Sequence, residues 1–311
     1  MFYNGHMEAT APQPRQIELQ DNVRFKPPDL VAYRGARYSG YVHPGLRVPD
    51  LLLNEPERAS CLPDTELLLD CAGRQIVRLP LILEHRQVDC FSYYFRNRSL
   101  QRALRRCYAL RVLEASRRLG SKDLRTLSVL AAVRRNGQFL NRHSLIIARE
   151  IPDVAELSSI GNHRYQVHPQ REIDESLSPE LARAVAEWHS RGFFHGDLKT
   201  RHILVSGTGP SHFSFVDLEK TLHLPRAPRA FQDVLAARDL IQLFSSSHIT
   251  QANPPLRSRL LKSYLAHRKL SPQRVERLER IVHLYGADGP FEQGKTLAGN
   301  LIGWLRRSLG A

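Results

Sequence analysis

His195-Gly-Asp-Leu-Lys-Thr-Arg-His202 is the stretch on which the fold of this chain turns. It follows a helical segment running from Ser178 to about Ser190. That segment opens on Ser178-Pro179-Glu180, an N-cap with proline at the first helical position, and stops at Gly192. The loop then gathers His195, Asp197, Lys199 and His202. Beyond Ile203-Leu-Val205 and a turn at Gly207–Pro210, the apolar strand Phe213–Val216 ends in a second carboxylate, Asp217. One carboxylate in the loop and a second at the end of a neighbouring strand suit phosphoryl transfer. One, Asp197, takes the proton of the attacking hydroxyl, and the other holds magnesium against the nucleotide phosphates. A lysine two places after the first can reach the transferred group and offset the charge that develops there.

Upstream, Thr65–Asp70, Gln75–Leu83 and Val88–Phe95 are β-branched and aromatic runs separated by turn signals, one of them at Ala72-Gly73. They predict an antiparallel sheet. Leu104, Tyr108, Val112 and Ala115 recur at helical spacing, so a helix is expected over 100–119, stopped by Gly120. Ser128–Arg135 and Ser144–Glu150 read as two further strands around an Asn136-Gly137 turn. From about Phe231 the chain is mostly helical, with proline-containing breaks. Strands with one helix, followed by a helix, a hairpin and more helices, make an α+β protein in two lobes.

These residues resemble a known set. His195-Gly-Asp-Leu-Lys-Thr-Arg-His202 is similar to the protein-kinase catalytic loop, with His202 where that loop has asparagine. Phe215-Val-Asp217-Leu-Glu219 resembles its metal-binding motif, with Leu-Glu where that motif has Phe-Gly, and Arg238-Asp239-Leu240 the later helix whose aspartate anchors the loop backbone. Arg257–Arg268, with Leu261 and Tyr264, extends the likeness. Among kinase-like families the resemblance is to the bacterial lipopolysaccharide kinase (Kdo/WaaP, InaA-like) family.

It implies a protein-kinase-like bilobed fold: an extension of uncertain structure over 1–60, a small β-rich N-lobe over 61–152 and a larger, mostly helical C-lobe over 153–311. It also implies an ATP- and magnesium-dependent kinase acting on a sugar hydroxyl of the lipopolysaccharide inner core. Asp197 and Lys199 would be catalytic, and Asp217 and His202 metal ligands. Ser144–Pro152, with Glu150, would hold adenine, and His202 would also lie against the nucleotide.

The N-lobe departs from the family pattern. The lysine expected on the strand Val88–Phe95 falls at Tyr93, and no lysine lies between Lys26 and Lys122. The helix that should answer it with a glutamate reads Arg105-Arg-Cys-Tyr108, with Glu114 two turns on, and the glycine-rich loop is reduced to Gly73. Three readings stand side by side. Arg78, Arg96 or Arg98 supplies the missing cation, with the different reach of a guanidinium; the register in this lobe is shifted by a few residues, leaving Tyr93 beside the nucleotide; or the chain is a pseudokinase scaffold in envelope assembly or stress response. His202 carries two readings as well. Magnesium prefers oxygen ligands, so the imidazole either replaces the usual amide or holds Asp197 by a hydrogen bond. Glu219 and Lys220 read as an exposed ion pair, with a place beside the metal site as the alternative.

The net charge of +14, most of it arginine, favours a polyanionic partner. With the resemblance, the partners expected are ATP and an anionic glycolipid of lipopolysaccharide core type rather than nucleic acid. Four scattered cysteines form no CxxC pair, and neither a signal peptide nor an apolar run long enough to span a bilayer is seen. A cytoplasmic location is expected. The terminal Trp304–Leu309 run suits either a peripheral membrane contact or packing on the large lobe.

Overall fold

The computed structural model describes residues 29–71, 73–96, 107–137, 143–157, 169–171, 173, 176–206, 213–245 and 254–285. The start of the helix expected over 100–119, Arg98, the turn at Gly207–Pro210 and the Trp304–Leu309 run lie outside these residues, as does the chain before Asp29. Two compact units are present. The first runs up to Glu66 and includes Cys71–Leu110 and Leu130–Ile147; the second holds Leu67–Asp70, Arg111–Val129 and the chain from Ala148 on.

The first unit is built on a sheet. Strands β1 (Val31–Arg34), β2 (Tyr38–Val42) and β3 (Leu46–Arg47) precede a short helix α1 (Asp50–Asn54). Strands β5 (Arg74–Leu83) and β6 (Arg86–Arg96) follow β4 (Glu66–Cys71), whose Leu67–Asp70 fall in the second unit, and after helix α2 (Tyr108–Gly120), in the second unit from Arg111 on, come β7 (Ser128–Arg135) and β8 (His143–Arg149). The order is β1-β2-β7-β8-β6-β5-β3, with β4 beside β5. Strands β1–β3 come from the 1–60 stretch and pair within the same sheet as the strands after residue 61. Strands β5 and β6 pair antiparallel from Arg74↔Phe95 to Leu83↔Arg86. Their turn places Glu84 and His85 at φ 49° and 67°, the two-residue hairpin geometry that matches strand twist. Leu79, Leu81, Tyr94, Leu145 and Ile147 are among the buried side chains of this core.

The second unit carries strands β9 (Val154–Leu157) and β10 (Gln170–Arg171), then helix α3 (Leu177–Ser190) and β11 (Phe193–Phe194). Strands β12 (Ile203–Ser206), β13 (Phe213–Phe215) and β14 (Leu222–His223) follow, and helices α4 (Arg229–Ser245), α5 (Pro254–Arg268) and α6 (Pro272–Tyr285) complete it. Its sheet runs β10-β9-β12-β13, with β11 and β14 as a separate pair. Helix α3 begins one residue before the expected Ser178 cap, and Ser176 in the capping place makes no side-chain cap bond. Ser178 is buried instead, so its hydroxyl is enclosed by packing rather than used at a free helix end. Sheet-rich first and helix-rich second, this is the α+β order expected.

Candidate active site

Helix α3 ends where Gly192 turns the chain at φ +79°; a β-carbon there would meet Pro225 Cα at 2.6 Å. Phe193 and Phe194 then pair with His223 and Leu222, which fixes the entry to the loop. Trp188 on α3 packs on Phe215 with ring centroids 4.3 Å apart and stacks on His195. The helix end, the loop and the strand leading to Asp217 thus share one aromatic core.

Helix α4 holds the loop by its backbone. Asp239, wholly buried, accepts the N–H of His195 at 2.6 Å and of Gly196 at 2.8 Å. Arg238 donates to the Gly196 carbonyl, and Gln242 accepts the N–H of Leu198 at 3.1 Å. Behind Asp239 stands His189, its Nε2 3.3 Å from the Asp239 carboxylate and its Nδ1 2.8 Å from the Tyr264 hydroxyl. Burial lowers the His189 pKa, against the pull of Asp239. The neutral ring therefore donates from Nε2 and accepts the Tyr264 proton at Nδ1, which satisfies every member of a buried network.

Asp197 faces two ammonium groups. Lys199 Nζ lies 2.9 Å from Oδ1 and Lys220 Nζ 2.8 Å from Oδ2. Burial alone would raise its pKa, but hydrogen bonds and charge from Lys220 and Lys199 hold the carboxyl well below the usual range. Lys220 comes close because Gly196 has no side chain. At φ +77°, a β-carbon there would sit 2.5 Å from the Lys220 carbonyl oxygen.

Asp217 follows β13 with φ 58° and ψ 53°, a left-handed conformation that aspartate tolerates better than most residues and that clusters at functional sites. His202 Nε2 is 3.4 Å from its Oδ2. His202 Nδ1 donates to the Asp197 carbonyl at 2.9 Å, and Arg201 Nε donates to His202 Nε2 at 3.2 Å. Burial, only partly offset by Asp217, pushes the His202 pKa down to about 4. The neutral ring has both nitrogens engaged by protein. Asp217 thus suits magnesium, which commonly takes one or two carboxylates and completes its shell with phosphates and water. His202 suits the holding of Asp197 better than metal ligation.

The His202 shift predicts a pH dependence of stability. In the unfolded chain imidazole titrates near 6.5, so below that pH the unfolded state takes up a proton that the folded state refuses until about pH 4. Stability is therefore full above about pH 6.5 and falls as the pH drops towards 4, by at most about 3 kcal/mol from this group. His189 shifts in the same direction. Thermal melts between pH 4 and 7.5 should show the decline, and His202→Asn should reduce it. A wild-type melting temperature that stays flat over that window would contradict this reading.

Of the residues singled out from sequence, Asp197, Lys199, His202 and Asp217 come together in the second unit. Glu150 directly follows β8, half-buried. Arg78 lies in β5, 3.9 Å from Glu66 and 3.7 Å from Asp89. Tyr93 lies in β6 opposite Ile76, its ring beside Phe91. Arg96 reaches the Cys71 carbonyl and the Tyr94 ring. The Glu219–Lys220 ion pair does not form. In the 3-10 turn Leu218–Lys220 successive side chains point about 120° apart, so Lys220 goes to Asp197 and Glu219 to Arg111 of α2, at 2.8 Å. Arg111 is not singled out by the sequence, and Lys220 is read there as an ion-pair partner or metal-site neighbour, not as a partner of Asp197. The only local signal was a basic residue three places after Asp217.

A family model described as the lipopolysaccharide kinase (Kdo/WaaP) family matches residues 93–277. The solved structure titled "WaaP in complex with acyl carrier protein" is similar at 19% identity and a TM-score of 0.47, over 74% of this chain and 92% of that one. An aminoglycoside-3'-phosphotransferase of type VIII is similar at 12% identity and a TM-score of 0.42, over 73% of this chain and 96% of that one. No curated protein matches.

Proposed function

The chain belongs to the lipopolysaccharide kinase (Kdo/WaaP) family and is a kinase of protein-kinase-like fold, and on that premise we propose that it transfers the γ-phosphoryl group of ATP to a sugar hydroxyl of the lipopolysaccharide inner core. The observation that carries the proposal is that one buried ring spans the Asp197 backbone and the Asp217 carboxylate. His202 donates to the Asp197 backbone at 2.9 Å and lies 3.4 Å from the Asp217 carboxylate.

In this reading the acceptor oxygen bonds to the γ-phosphorus as the bond to the β–γ bridging oxygen breaks. ADP leaves, and the hydroxyl proton passes to Asp197 and on to solvent. Because the transition state is loose, a carboxylate of lowered pKa serves chiefly to orient the hydroxyl and receives its proton late. Magnesium, held by Asp217, would neutralise charge on the phosphates. Lys199, 2.9 Å from Oδ1, keeps Asp197 charged and offsets charge that develops where the acceptor meets the phosphoryl group. Glu150, at the end of β8, would face adenine; Tyr93 and Arg78 are assigned to the nucleotide's side of the sheet.

The net charge of +14 favours an anionic acceptor, and a peripheral contact with the inner face of the membrane fits such an acceptor. Among the described residues no helix is long and apolar enough to cross a membrane.

The test is incubation with ATP, magnesium and purified inner-core oligosaccharide, read as phosphate on the glycan by mass spectrometry and located by NMR. Wild type should phosphorylate one sugar, and Asp197→Asn should lose roughly 10²-fold or more of the rate. A glycan left unmodified by an active, ATP-hydrolysing preparation would contradict the acceptor assignment.

A further inference from the structure

The family pattern places a lysine on the strand that here is β6, and this chain has Tyr93 there, with no lysine between Lys26 and Lys122. The arginines of that sheet singled out as substitutes have partners of their own. Arg78 lies near Glu66 and Asp89, and Arg96 serves the Cys71 carbonyl and the Tyr94 ring. The second unit, by contrast, has a cation beyond what its carboxylate needs. One ammonium neutralises Asp197, and Lys199 already provides it at 2.9 Å. Lys220 is a second, 2.8 Å away on the other oxygen, and leaves the three groups at a net charge of +1.

Lys220 is also aimed. Its turn is fixed by the buried Leu218 and by contact of its backbone with side-chain-free Gly196. The one acid beside it in sequence, Glu219, is drawn off by Arg111, which also donates to the Glu219 carbonyl at 3.1 Å. The lysine side chain stays 46% exposed, against 15% for Asp197.

We propose that Lys220 supplies a further cation to the transferring phosphoryl group, in a chain whose sheet lacks the usual phosphate-binding lysine, and that the Arg111–Glu219 pair positions it. The proposal rests on the kinase reading above. When the acceptor hydroxyl takes one oxygen of Asp197, an ammonium must leave that oxygen. Lys220 is the more exposed of the two, and a phosphoryl group delivered in line with the hydroxyl lies within its reach. There its charge offsets the negative charge on the equatorial oxygens, and no proton or electron moves through it.

The experiment compares wild type, Lys220→Met and Lys220→Arg in the full chain, with three readouts: kcat for phosphoryl transfer, ATP affinity by calorimetry with magnesium, and melting temperature. Lys220→Met should lower kcat roughly 10²-fold, the loss typical of one transition-state cation or donor. It should also weaken ATP binding while the melting temperature holds, and Lys220→Arg should recover part of both losses. If Lys220→Met retains wild-type kcat and ATP affinity while wild type turns over, Lys220 is a structural partner of Asp197 and this inference fails alone. If Lys220→Met merely lowers the melting temperature, with kcat and affinity intact, the inference fails in the same way. If wild type binds no ATP and transfers no phosphate, the kinase reading fails and takes this inference with it.

Discussion

Asp239→Ala is expected to bring phosphoryl transfer down at least 100-fold and to cost roughly 2–5 kcal/mol of stability. The carboxylate sits in the interior and accepts the N–H groups of His195 and Gly196, at 2.6 and 2.8 Å. Alanine leaves both amides without an acceptor, and each unpaired buried donor costs about 1–3 kcal/mol. It also strands His189 Nε2, whose other nitrogen is committed to Tyr264. The kinetic loss follows from position. Asp197 lies one residue beyond Gly196, and a displacement of about 1 Å in a reacting group can cost 10²-fold. Asp239→Asn should fall between wild type and alanine in stability, since it keeps one oxygen but turns an NH2 towards the second amide. Urea unfolding midpoints and turnover, measured on all three, check this. An alanine variant as active and as stable as wild type would show that α4 does not hold the loop.

The loop itself was legible, because Asp197, Lys199, His202 and Asp217 keep a spacing that a helix, a loop and a hairpin can produce from local sequence alone. Asp239 was legible through the same likeness. The partners of Lys220 and Arg111 were not. Lys220 pairs with Asp197 across 23 positions and Arg111 with Glu219 across 108, and no periodicity encodes a partner at that distance. Glu219 and Lys220, adjacent in sequence, invited a local pairing that the tight turn forbids. In the sheet, β4, β5 and β6 were legible because each is a long run bounded by turn residues. Strands β1–β3 are 4, 5 and 2 residues long, too short to set up an alternation, and depend on pairing with β5 and β7. The capping residue of α3 was misplaced because Ser178-Pro179 looks like a helix start, whereas packing draws Ser178 into the interior.

The kinase account depends on Asp217 carrying metal to the nucleotide, and the decisive substitution is Asp217→Asn. Asparagine tolerates the left-handed backbone at φ 58° about as well as aspartate does, so the change removes charge without adding strain. The native carboxylate adds a formal charge to a hard oxygen ligand, which strengthens its hold on a magnesium ion whose shell phosphates complete. The measurement is ATP affinity by calorimetry, with magnesium and with EDTA, for wild type and Asp217→Asn. Wild type should bind ATP more tightly with magnesium. The variant should lose roughly tenfold or more of the affinity in magnesium, about 1.4 kcal/mol, and differ little in EDTA. Magnesium enhancement of equal size in both proteins, or a wild type that binds no ATP in either condition, would contradict the account.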